Sequence, residues 1–155
     1  MYRISLALIT VLIIAGCNGE NGNGKDTPEN GDELTDFEME HGIGPVTEPL
    51  DIGEIDLGKA QRGADFFDSR CASCHRMEER RVGPPLGRVA ENRSPEFIVN
   101  FTLNPEEMVD RHPVGQALLQ EYLTIMPYQN VSKERALEIV DFLRHYAETG
   151  EDLRE

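Results

Sequence analysis

The stretch Cys71-Ala72-Ser73-Cys74-His75 separates two thiols by two residues and places an imidazole directly after them. This C-x-x-C-H spacing is the signature of c-type haem attachment. On a helical turn, the two thiols reach the two vinyl groups at one edge of a porphyrin, and the next residue brings an imidazole under the iron. The motif therefore predicts one covalent haem c on Cys71 and Cys74, with His75 as an axial iron ligand.

Three other roles for the cysteine pair stay open on the motif alone. A structural zinc site needs four ligands, and no second Cys or His pair follows in the sequence. A thioredoxin-like redox pair accompanies a βαβ pattern, whereas this sequence has no convincing period-two alternation. A disulfide between Cys71 and Cys74 would close a very short loop and add little chain-entropy stabilisation. Haem attachment is the favoured prediction.

The N-terminus predicts an exported bacterial lipoprotein, either periplasmic or on the outer face of the cytoplasmic membrane. Arg3 precedes an apolar run at 4–15, which is shorter than a spanning helix and typical of a secretory signal. Small residues then lead into Cys17 and resemble the lipobox of bacterial lipoproteins. We expect a signal peptide at 1–16 and lipid on Cys17; the alternative is a plain secretory signal with an incidental cysteine.

The charge is concentrated in one segment. The net charge is −14, and residues 18–56 hold twelve acidic residues and one lysine. Residues 17–53 are rich in Asn, Gly and acids without a sustained period, which predicts an acidic, disordered tether from the lipidated cysteine. A basic face large enough to neutralise phosphates is missing, so we expect no nucleic-acid partner.

The remaining chain predicts an all-α domain at 54–148, followed by a tail at 149–155. Helix-start signals, a capping residue often followed by proline, occur at Ser94, Asn104 and Ser132. Apolar residues at spacings of three and four indicate an earlier helix, at Leu57, Ala60, Ala64 and Phe67. Few large apolar side chains are available for a core, and a buried haem would supply the missing volume.

Residues 57–147 resemble the class I, monohaem cytochromes c in three features. Gly63 and Phe67 precede Cys71 at G-x-x-x-F-x-x-x-C spacing. A Gly-Pro-Pro-Leu loop at 83–86 is similar to the family's G-P-x-L loop, and a Met-Pro pair at 126–127 is similar to its M-P loop. The resemblance implies a class I cytochrome c-like helical fold around one covalent haem.

The resemblance also implies residue roles. The backbone carbonyl of Pro84 accepts a hydrogen bond from the His75 imidazole, which fixes its tautomer. The sulfur of Met126 is the second axial ligand. The helix that carries Gly63 and Phe67 crosses the last helix at the partner residues Ile139 and Phe142.

Other side chains compete for the distal position. Met77 is too close to His75 to reach the other haem face, and Met108 lies in a short helix where core packing is the ordinary role. His112 in a loop is the main rival of Met126. His145 is expected at the surface near a helix C-terminus. Tyr122 or Tyr128 could bond the Met126 sulfur or a propionate, or each could be an ordinary half-buried tyrosine, and the sequence does not choose between them.

The function implied is one-electron transfer in a bacterial respiratory chain, without catalysis by the carrier itself. The expected partners are a quinol-oxidising complex or other donor and a terminal oxidase or similar acceptor, and the expected state is a monomer. Six arginines in residues 70–93 suggest a basic docking rim, or propionate partners: Arg70, Arg76, Arg80, Arg81, Arg88 and Arg93. The alternatives are a gas sensor with a labile Met126 and a subunit of a larger redox enzyme.

Overall fold

The structure is a computed structural model, and it describes residues 33–154. This part of the chain forms helices and contains no β-strand. The helices are α1 (Asp36–His41), α2 (Leu57–Arg70), α3 (Val89–Asn92), α4 (Pro95–Leu103), α5 (Pro105–Arg111), α6 (Pro113–Tyr122) and α7 (Lys133–Thr149). The predicted all-α class is confirmed. Within residues 33–154, no helix has the length and apolar character needed to cross a membrane.

Helices begin directly after Ser94, Asn104 and Ser132 as predicted, and the two serines cap their helices with side-chain hydrogen bonds, whereas Asn104 does not. The hydroxyls of Ser94 and Ser132 accept hydrogen bonds from the backbone N–H groups of Phe97 and Arg135, each at 3.2 Å. These bonds satisfy donors that a helix leaves unpaired in its first turn. Proline occupies the first turn of α4, α5 and α6, where its missing N–H costs nothing.

The crossing of α2 and α7 forms the centre of the fold. Gly63 is buried against the backbone of Glu138 and Ile139, so closely that any Cβ would overlap the Glu138 carbonyl. One turn further along, the rings of Phe67 and Phe142 pack with their centroids 5.5 Å apart. The predicted partners of Gly63 and Phe67 therefore meet as expected, with Glu138 added by the structure.

The prediction of a disordered tether through residue 53 is wrong for residues 33–53. Thr35 caps α1 in a capping box with Glu38. Beyond α1, Ile43 and Val46 are buried, and the chain packs on α4 and α5. We call residues 33–53 the N-terminal strap. The folded unit thus begins well before residue 54, while the signal peptide, Cys17 and residues 18–32 lie outside the described residues.

Polar contacts hold the strap to the domain. They explain why a polar, acidic composition, which predicted disorder, was misleading here. The fully buried side chain of Asn100 donates to the carbonyls of His41, Gly42 and Val46 at 2.9–3.1 Å. Glu96 accepts from the N–H of Leu50 at 2.6 Å. These partners satisfy the strap's backbone, so a segment poor in apolar residues can still be ordered.

At the C-terminus one prediction is wrong, and the packing of the tail was not predicted. His145 is only 7% exposed, so its assignment to the surface is wrong. Its carbonyl and ring lie beside the Thr149 hydroxyl in the last turn of α7. The tail folds back, because Leu153 packs on the core and the Arg154 guanidinium lies 5.1 Å from the Phe67 ring centroid.

Candidate haem site

One large cavity, with a volume of about 570 Å³, opens beside the α2–α7 crossing. This is within the range of small-molecule and cofactor pockets, and its lining is mostly apolar. The lining comes from the end of α2, residues 71–75, the 82–86 loop, α3 with the arginines that flank it, α4, one residue of α5, α6, the loop at 123–132 and α7. Apolar walls contributed by segments far apart in sequence suit a flat, largely hydrophobic group.

The Cys71–His75 segment continues α2 as a tight turn. The Cys71 N–H donates to the Phe67 carbonyl at 2.8 Å, which extends the helical hydrogen bonding by one residue. The N–H groups of Cys74 and His75 then both donate to the Cys71 carbonyl, at 3.0 and 2.9 Å. Cys71, Cys74 and His75 all line the cavity as a result. The turn brings together the three side chains that the motif predicts to hold haem.

Burial raises the pKa of the Cys71 thiol to about 11, with Cys74 beside it adding to the effect. A redox-active cysteine needs the opposite environment, one that lowers the thiol pKa and stabilises the thiolate. The surroundings of Cys71 therefore disfavour the thioredoxin-like alternative. These surroundings suit a cysteine whose sulfur forms one covalent bond and then stays buried among apolar side chains.

His75 has its ring orientation fixed by the loop that follows it. Its Nδ1 donates to the Pro84 carbonyl at 2.9 Å, as predicted, which leaves the Nε2 lone pair free for a metal. Burial lowers the pKa of His75, and the bond to Pro84 offsets part of that effect. The neutral imidazole that an iron ligand requires is thereby favoured.

Gly83 is a part of this arrangement whose role the sequence motif alone did not explain. Its N–H donates to the Cys74 carbonyl at 2.9 Å, which pulls the loop under the His75 ring. A Cβ on Gly83 would lie 2.5 Å from Cε1 of His75. Glycine at this position therefore makes room for the ring that Pro84 orients.

Met126 lines the same cavity as His75, from the loop between α6 and α7. Its rivals are placed elsewhere. Met77 is buried in the main core, and Met108 accepts the N–H of Ile43 at its sulfur. Neither lines the cavity. Of the methionines in residues 33–154, only Met126 shares the cavity with the predicted proximal histidine.

His112 is also committed to another role. It is 1% exposed and caps α6, where Nδ1 accepts the N–H of Val114 at 3.1 Å. Its Nε2 lies 3.3 Å from the carbonyl of Met39 in the strap, to which it donates. Both ring nitrogens are therefore occupied within the protein, and the ring does not line the cavity.

The two tyrosines left undecided by the sequence are distinguished by position. Tyr122 lines the cavity, whereas the hydroxyl of Tyr128 donates to the Val131 carbonyl at 3.0 Å within its own loop. The predicted arginine rim is also divided. Three of its members, Arg70, Arg88 and Arg93, line the cavity.

Residues 60–147, more than half of the chain, match the family model for cytochrome c. The chain belongs to the cytochrome c family. A cytochrome c from Rhodothermus marinus is 42% identical, with a TM-score of 0.68, and the match covers 72% of this chain and 96% of that one. Among curated proteins, none matches the chain.

Two further similar structures are engineered forms of the Rhodothermus marinus cytochrome c, one of them bound to a carbene intermediate. Both are 40% identical to this chain and cover 72% of it and 97% of their own length, with TM-scores of 0.68 and 0.65. Family membership establishes the monohaem class I fold, a covalent c-type haem and the function of an electron carrier. It also decides between haem attachment and the zinc, thiol-redox and disulfide alternatives.

Proposed function

We propose that this cytochrome c is a His/Met-ligated, membrane-tethered one-electron carrier of a bacterial respiratory chain. One observation supports it best: His75 and Met126 line a single apolar cavity together with Cys71 and Cys74. These residues fit a haem c, with the two thiols as attachment points and the imidazole and thioether as axial ligands. When bound, the haem supplies an iron that gains and loses one electron.

The protein's own residues would supply both axial ligands of the haem iron and so exclude a substrate from it. Pro84 orients the imidazole of His75 through Nδ1, at 2.9 Å. Met126 would supply a soft thioether to the iron, a ligand that favours the ferrous state and raises the reduction potential relative to a second histidine. With both axial positions filled from within the chain, no site is left for a substrate, and we propose that the carrier catalyses no reaction of its own.

The test of ligation is the optical spectrum of the ferric holoprotein. A sulfur–iron bond gives a weak band at the red edge of the visible spectrum, which we expect in the wild type and expect to be lost in Met126→Ala. Met108→Leu is the matched control, because Met108 is buried away from the cavity. A high-spin wild-type spectrum without the band would instead favour the gas-sensor alternative, in which Met126 is labile.

The membrane tether is proposed from the sequence around Cys17. We propose that the mature chain begins at Cys17, carries lipid there, and holds the haem domain on the periplasmic or outer side of the cytoplasmic membrane. Because residues 33–53 are bound to the domain, the proposed tether would be confined to residues 18–32. Cys17→Ser should move the holoprotein from the membrane fraction to the soluble fraction, whereas Asn18→Ala should leave it in the membrane.

The partners are proposed as a quinol-oxidising complex or other donor and a terminal oxidase or similar acceptor, met by a monomeric carrier. A mobile carrier should separate from both after mild detergent extraction. Stable co-purification with one of them would favour the alternative of a subunit within a larger redox enzyme.

We further propose that the arginines at the cavity mouth give the haem edge a positive potential. Arg70 is exposed and lines the cavity, while Lys59 lies exposed at the other end of α2. Arg70→Glu should slow oxidation by ferricyanide, an anionic oxidant, at low salt, and the difference should shrink at high salt. Lys59→Glu makes the same charge change far from the cavity, and an equal effect of both variants would contradict a localised rim.

A further inference from the structure

The loop that carries Met126 is held mainly at its two ends. In the described part of the chain, residues 124–131 form no hydrogen bond with another segment, and α6 packs on no helix except α5. At the downstream end, Val131 is buried in the main core and Ser132 caps α7. The position of Met126 therefore depends on how the upstream end, at the last turn of α6, is fixed.

Arg80 fixes that upstream end. Its Nη2 donates to the backbone carbonyl of Glu121 at 2.8 Å, and its Nη1 lies 3.5 Å from the Glu121 carboxylate. Its guanidinium also stacks over Tyr122, 4.1 Å from the ring centroid. The Glu121 carbonyl is one of those that a helix leaves unpaired in its last turn, where a cation also complements the helix dipole.

The segment that carries Arg80 is itself tied to the other side of the cavity. The N–H of Gly83 donates to the Cys74 carbonyl, and the N–H of Leu86 donates to the Arg76 carbonyl, both at 2.9 Å. Residues 76–86 thus form a closed loop on the segment that presents His75. Arg80 connects this loop to the end of α6 across 41 positions of sequence.

We propose that Arg80 is a positioning residue for Met126, acting as a bridge between the proximal segment and the loop that presents the distal ligand. This inference rests on the proposed ligation by Met126. An outward movement of the loop at 123–132 would carry the Met126 sulfur away from the iron, and the bridge restrains that movement at one end. Without the bridge, the detached state of Met126 should be more populated.

The test is a titration of the ferric holoprotein with imidazole, which competes with Met126 for the sixth position. Apparent affinity for imidazole is proportional to the population in which Met126 is detached. Loss of one charge-assisted hydrogen bond at an exposed site should raise that population about fivefold, so Arg80→Ala should bind imidazole about fivefold more tightly. Arg80→Lys should show a smaller change, because its ammonium can still reach the Glu121 carbonyl but cannot stack as a plane on Tyr122.

Arg76→Ala is the matched control. Arg76 lies in the same loop and carries the same charge, but among residues 33–154 its side chain forms no hydrogen bond or ion pair, and it does not line the cavity. An unchanged imidazole affinity in Arg80→Ala, or an equal change in Arg76→Ala, would overturn the proposal. A lower urea midpoint for Arg80→Ala with unchanged imidazole affinity would likewise overturn it, since it would show a purely structural role.

The wild-type spectrum separates this inference from the proposed function. If the red-edge band is absent from the wild type or survives Met126→Ala, ligation by Met126 is wrong and the bridge has no ligand to position. If the band behaves as proposed and imidazole affinity does not respond to Arg80→Ala, ligation stands and the bridge is rejected.

Discussion

The side-chain amide of Asn100 pairs with the backbone of Val46 as a second peptide group would. Its Oδ1 accepts the Val46 N–H at 2.9 Å, and its Nδ2 donates to the Val46 carbonyl at 2.9 Å. The same nitrogen lies within 3.1 Å of the carbonyls of His41 and Gly42. A single buried side chain on α4 thereby pairs with four backbone groups of the N-terminal strap.

Asn100→Ala should destabilise the holoprotein by about 3 kcal/mol, because each buried backbone group left without a partner costs about 1–3 kcal/mol. Urea unfolding measures the change, and limited proteolysis should show earlier cleavage within residues 33–53. Asn92→Ala is the control, since Asn92 is exposed and bonds only within α3. Equal stability of the two variants would mean that the strap is not held by this amide.

Attachment of the strap should weaken in acid through Glu96. Burial alone would raise the pKa of Glu96, but hydrogen bonds from the Leu50 N–H, its own N–H and Ser94, together with nearby His41, lower it below the ordinary 4.5. Because the folded pKa is the lower one, this stabilisation is complete above about pH 4.5 and is lost as the pH falls through the folded value.

Glu96→Gln, which does not ionise, isolates the effect. The difference in unfolding free energy between wild type and Glu96→Gln should be largest near neutral pH and shrink below about pH 4.5. Urea unfolding between pH 3 and pH 7 measures it. Asn92→Ala, at an exposed position on α3, keeps Glu96, and its difference from wild type should therefore not change with pH. If the difference in unfolding free energy between wild type and Glu96→Gln did not change with pH, ionisation of Glu96 would not be what holds the strap.

Gly63→Ala should destabilise the protein by about 1–3 kcal/mol, because the added methyl would overlap the Glu138 carbonyl and force α2 and α7 apart. This outcome opposes intrinsic helix propensity, which favours alanine over glycine by about 1 kcal/mol. Thermal unfolding of the holoprotein measures it. Ser69→Ala, at an exposed position on the same helix, should change stability little, and a stabilising Gly63→Ala would show that the crossing can relax.

Gly83→Ala should loosen the proximal imidazole, because its methyl would lie against Cε1 of His75 and displace the ring from Pro84. Loss of such an orienting bond typically weakens a metal ligand about tenfold or more. Protons compete with iron for Nε2, so the acid transition of the ferric spectrum should move up by about one pH unit. Pro85→Ala in the same loop is the control, and an unmoved transition in Gly83→Ala would contradict the argument.

The sequence determined the features that depend on local spacing. The C-x-x-C-H turn, the caps at Ser94 and Ser132, and the apolar face of α2 each involve residues within a few positions of one another. The close approach at Gly63 was also predicted, but as an implication of the resemblance to the class I cytochromes c and not from local spacing. The capping of α1 by Thr35 and Glu38 was a local signal too, which the acidic composition around it obscured.

Only the tertiary structure decided the long-range pairings. Composition indicated disorder for residues 33–53, yet Asn100 and Glu96, about fifty positions away, supply the partners that order it. Likewise, Met108 and His112 were rivals of Met126 on chemistry alone, and their contacts with the strap remove them from the cavity. Polar pairing between distant segments leaves no periodic pattern in a sequence, because it requires only one suitably placed side chain that bonds to the backbone of the other segment.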